Sequence, residues 1–150
     1  MSTPLEFHAR SPRHDLPYLF IAQAQKEATV NEALARIDVL LRPVVEGETD
    51  APPAVPMEGV GWIVGAGAQG EWAGREGALA FHVAGSWILA RPAEGTMVFD
   101  RSLDCLRHWR DGWQTMALPV IPTDGATIDT EARAAIDGLI AQLRAFGLGI

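Results

Sequence analysis

From Val60 to Leu118 glycine turns cut the chain into apolar and aromatic pieces of about four to six residues, and that interruption confines this stretch to short strands. The pieces are Gly61–Val64, Leu79–Val83, Ser86–Ala90, Thr96–Asp100, Cys105–Trp109 and Trp113–Gln114. Asp111-Gly112, between two aromatic-rich pieces, is a strong hairpin signal, and Ala84-Gly85 is a weaker one. All the tryptophans (Trp62, Trp72, Trp87, Trp109 and Trp113) fall in this zone. Trp62, Trp87 and Trp113 each follow a small residue at intervals of 25 and 26 positions, a weak sign of repeated hairpins. The expected unit is a small antiparallel meander or barrel over 60–118.

Helical patterns flank it. Residues 1–14 are polar and proline-containing and read as an extended arm. Residues 15–45 read as a helical attachment or oligomerisation segment. Gln23 to Leu41 lacks Gly and Pro, and Val30, Leu34, Ile37 and Leu41 recur with heptad-like spacing up to the stop at Pro43. Gly47 to Gly59, with Pro52, Pro53 and Pro56, reads as a linker or long loop. In 124–150, Asp124 or Asp129 can cap a C-terminal helix over Thr130–Phe146. Its apolar stripe is Ile136, Leu139, Ile140 and Leu143, and Gly147 follows as the stop. The fold class is therefore α+β. A β unit of this size has a limited core, so the stripes are to be buried against it, against each other or in a symmetric partner; a homo-oligomer is the expectation, with a trimer favoured and a pentamer as the alternative.

Charge and composition narrow the partners. The net charge of −7 makes nucleic acid a poor one. No apolar run approaches the roughly 20 residues of a membrane helix, and no leader is evident, so synthesis in the cytoplasm without membrane insertion is expected. The single cysteine, Cys105, forms no internal disulfide.

Active-site patterns are not found. His8, His14, His82 and His108 have no metal-ligand spacing, so neither metal nor cofactor is expected. His108 lies three residues from Cys105, on the opposite side of a strand, and Cys105 reads as a buried thiol. Asp100, Asp104 and Asp111 supply carboxylates, but in an acidic chain such groupings arise easily, and no catalytic residue is assigned. Gly65-Ala66-Gly67-Ala68-Gln69-Gly70 spells a dinucleotide motif but lacks a helix start after it, and reads as a glycine-rich turn. Trp72, Trp87, Trp109 and Trp113 are the glycan-binding candidates, with core packing the more ordinary use of each. The expectation is a non-enzymatic binding or structural module.

The segment Asp15-Leu16-Pro17-Tyr18-Leu19-Phe20-Ile21-Ala22-Gln23-Ala24-Gln25-Lys26-Glu27-Ala28-Thr29-Val30-Asn31-Glu32-Ala33-Leu34 resembles the opening of a domain-of-unknown-function family from alphaproteobacterial phages, prophages and gene transfer agents. Gly61–Gly65, Gly70–Gly74 and Gly85-Ser86-Trp87 resemble its centre, and Ile128–Ile136 its C-terminal helix. The resemblance implies a virion component: a head spike, tail fibre or fibre adaptor that aids attachment to host capsular polysaccharide. The implied partners are other particle proteins and host polysaccharide, and the implied location is the virion surface. The alternative is a stand-alone carbohydrate-binding module.

Overall fold

The computed structural model describes residues 26–120 and 129–149. The expected arm 1–14, the helix opening at 15–25, and Asp124 as a cap lie outside the described residues. The fold is α+β: among the described residues there are two helices and eight strands in two four-stranded sheets.

Helix α1 (Lys26–Leu40) leads into two very short strands, β1 (Val44–Val45) and β2 (Glu48–Thr49). Strands β3 (Gly61–Val64), β4 (Leu79–Val83), β5 (Ser86–Ala90), β6 (Met97–Asp100), β7 (Cys105–Trp109) and β8 (Trp113–Thr115) follow, then α2 (Thr130–Ala145). One sheet has the order β2-β3-β4-β5 and the other β1-β6-β7-β8. The hairpins at Ala84-Gly85 and Asp111-Gly112 form as expected.

The sheets are mixed rather than purely antiparallel, and they do not close into a barrel. β1 runs parallel to β6, and β2 parallel to β3. The cause is the segment from Pro43 to Thr49, which serves both sheets. The carbonyls of Pro43 and Val45 accept from Phe99 N and Arg101 N at 3.0 and 2.9 Å. Glu46 N then donates to the Gly61 carbonyl, and the carbonyls of Gly47 and Thr49 accept from Ile63 N and Gly65 N. The changeover falls between Val45 and Glu46, and Gly47 (φ 150°) follows it, where an added Cβ would stand 3.0 Å from Ser102 Oγ. Two-residue strands carry no alternation of their own, so only their distant partners define them.

The β2-β3-β4-β5 sheet is covered on both faces. Ile63, Leu79, Phe81, Val83, Ile88 and Ala90 point to one side and pack with Ala35 and Val39 of α1, Val45 and Val98. Val64, Ala78, Ala80, Trp62, Trp87 and Leu89 point to the other, beneath Trp72 from a single 3₁₀ turn at Gly70–Trp72. Double coverage explains why β4 reads as a nearly continuous apolar run.

The buried stripe of α1 is Asn31, Ala35, Asp38 and Val39, with Leu34 packed at its edge. The heptad-spaced set lies one residue over, about 100° around the helix. Val30, Ile37 and Leu41 are 38%, 51% and 61% exposed. In α2, Asp129 caps the N-terminus by accepting from Ala132 N at 2.9 Å. Of its apolar stripe only Ile140 is buried and Leu143 half-buried, while Ile136 and Leu139 are exposed. The tail past α2 returns to the sheets, where the carbonyl of buried Gly147 accepts from Leu106 N.

Candidate functional site

The hairpin β7–β8 sets Trp109 directly opposite Trp113, with ring centroids 5.4 Å apart and planes at 73°. Asp111 takes the left-handed conformation (φ 52°) that this short turn requires. Trp113 Nε1 donates to the Gly77 carbonyl at 2.9 Å, which ties the hairpin to the loop before β4. The Trp109 ring lies so close to Gly77 that an added Cβ there would be 2.7 Å from a ring carbon. Trp109 is thus held in place by a cross-strand partner and a backbone contact.

Two clefts meet at Trp109. One, of about 300 Å³, is bounded by Arg75, Glu76, Leu89, Arg91 and Pro92. The other, of about 280 Å³, is bounded by Glu48, Glu76, Arg107 and Trp113. Their electrostatics differ. Arg107 is committed, to Glu48 at 2.9 Å and Asp100 at 3.2 Å. Arg75 and Arg91 are exposed, and among the described residues neither forms an ion pair. Glu76 accepts from Gly74 N at 3.2 Å.

Trp87 lines a third cleft, of about 380 Å³, with Pro56, Glu71, His82 and Ser86. It sits edge-on to Trp72, Trp62 and His82 at 5.0, 5.9 and 5.1 Å. Trp72 itself is fully buried, so no sugar can reach its face, and its proposed place among the glycan-binding residues is withdrawn. Core packing claimed this side chain because the outer face of the sheet needs a lid. Trp87, Trp109 and Trp113 remain half-buried and border clefts.

The carboxylates considered for chemistry stand in turns or, for Asp100, at the strand end just before one. Asp100 is buried and binds the turn that follows it, while Asp104 and Asp111 both have positive φ. Among the described residues no group of three or more His, Cys, Asp and Glu side chains is arranged to hold a metal ion, and no helix is long and apolar enough to cross a membrane. Burial pushes the Cys105 thiol above its ordinary range, and the nearby Asp100 adds to the shift. A buried thiol kept in its neutral form is a poor nucleophile. Ellman's reagent is therefore expected to react with Cys105 slowly in the native protein and rapidly in denaturant. Fast labelling of the native form would mean that the tail at Gly147 does not cover β7.

The polar residues around Trp109 escape sequence analysis. Arg75 and Arg91 stand in separate loops, and only the pairing of β4 with β5 brings their ends together. No local pattern encodes that.

A search of curated proteins finds no match to the chain. A family model described as "Protein of unknown function (DUF2793)" matches residues 30–114, from within α1 to β8.

Proposed function

The chain belongs to the DUF2793 family, and from this premise we propose that it is an oligomeric structural and adhesion component of a phage-like particle or gene transfer agent. It serves as a head spike, tail fibre or fibre adaptor and aids attachment to surface polysaccharide. The observation that carries this reading is the exposed apolar seam. Val30 and Ile37 of α1 and Leu41 just past its end keep heptad spacing and are exposed, while Leu34 of the same stripe packs against the core, and Leu139 and Phe146 of the α2 region are 60% and 75% exposed. A seam of this period is what neighbouring copies bury against one another. The resemblance of residues 15–34 to phage and transfer-agent proteins supplies the particle.

Light scattering on the eluting full chain is the direct test of assembly. A trimer is expected, with a pentamer the alternative, and Ile37→Glu with Leu41→Glu should yield a folded monomer. A wild-type protein that elutes as a monomer at high concentration removes the seam from the account. Immunogold labelling of purified particles tests the location: label on heads or tails supports it, and unlabelled particles from a strain that expresses the protein count against it. The second reading, a stand-alone carbohydrate-binding module, is favoured by the cleft beside Trp109 and requires no particle.

A further inference from the structure

We propose that the cleft bounded by Trp109, Arg75 and Arg91 is a binding site for a carboxylate-bearing saccharide, such as a uronate or sialate unit of an acidic glycan. The inference rests on the saccharide-binding part of the function proposed above and deepens it.

Trp109 supplies the aromatic wall. Its contacts with Trp113 and Gly77 fix the ring before any ligand arrives, so stacking costs little ordering. The cleft, of about 300 Å³, suits one or two sugar rings rather than an extended peptide. Leu89 and Pro92 extend its apolar floor.

The charges select the ligand. In a chain of net charge −7, this cleft holds two guanidinium groups against the single carboxylate of Glu76. Arg107, by contrast, is already occupied by Asp100 and Glu48. Two arginines that form no ion pair among the described residues, at one aromatic cleft, offer forked donors that match a carboxylate, and Glu76 remains to accept from sugar hydroxyls. Neutral sugars would use the tryptophan and leave the arginines idle.

The test uses the full chain, with tryptophan fluorescence and calorimetry as readouts. The probes are oligogalacturonate, oligomannuronate and sialyllactose, with methyl-esterified oligogalacturonate as the neutral control. At least one acidic probe should bind, esterification of a uronate that binds should weaken it about tenfold or more, and Arg75→Ala with Arg91→Ala should do the same. Binding should also fall as salt rises. Both arginines are exposed, so the double variant should fold, and circular dichroism checks that it does. Failure of every acidic probe overturns the proposal, as does equal binding of the esterified probe or full affinity in the double variant. Neutral sugars that bind and are lost in Trp109→Ala but not in the arginine variant would sink the charge assignment alone and leave the saccharide reading intact. A failed particle localisation bears on neither.

Discussion

Asp100→Ala is expected to lower the stability of the fold by about 3 kcal/mol or more, a large part of what a domain of this size possesses. Asp100 is fully buried at the end of β6. One carboxylate oxygen accepts from Ser102 N at 2.9 Å, Ser102 Oγ at 2.6 Å and Leu103 N at 3.4 Å. The other meets Arg107 at 3.2 Å. A single side chain therefore shapes the turn between β6 and β7 and balances the charge of Arg107, whose side chain is only 11% exposed. Alanine strands both sets of donors, and the loss of a buried partner costs more than the bond was worth. Asparagine keeps an acceptor for the turn but gives up the charge, so Asp100→Asn should fall between alanine and wild type. Urea unfolding at fixed pH checks the order. An alanine variant as stable as wild type would show that Glu48 alone suffices for Arg107 and that the turn holds without its side-chain anchor.

Trp72→Ala should cost a comparable amount, about 3–5 kcal/mol, while Trp109→Ala should cost roughly 1 kcal/mol. The same truncation differs because the two rings have different neighbours. Trp72 is the lid over the outer face of the β2-β3-β4-β5 sheet, and its removal opens a cavity against Trp87, Ala78 and Ala80. Trp109 is only half-buried and keeps part of its surface toward a cleft. Trp72→Phe is expected to be milder than alanine, since among the described residues the Trp72 Nε1 has no hydrogen-bond partner to lose. Thermal midpoints of the three variants give the comparison. Equal losses for Trp72→Ala and Trp109→Ala would contradict the division between lid and cleft wall.

Much of this architecture is legible in the sequence because its determinants are local. Asp111-Gly112 sets a hairpin with tryptophans across from each other, and Asp129 before Thr130 marks a capped helix. What escapes detection is settled over distance. Val44–Val45 and Glu48–Thr49 are too short to show a period and exist only through β6 and β3. On α1 the strongest apolar stripe is not the buried one, because the core took Ala35, whose small side chain lets the helix approach closely, and the polar Asn31 and Asp38, both of which have interaction partners. Trp72 offers no strand or helix period, so its role as a lid could not be separated from a role at the surface.

The segment shared by the two sheets also bears on mechanical load. Were tension applied through the chain that leads out of α1, it would reach the two sheets at Pro43. The chain there lies parallel to β6 and then to β3, with hydrogen bonds directed sideways into both sheets. A pull along the segment strains these bonds in shear and together, whereas a hairpin opened from its end yields them one at a time. The junction between α1 and the β unit is thus braced against a pull along the chain.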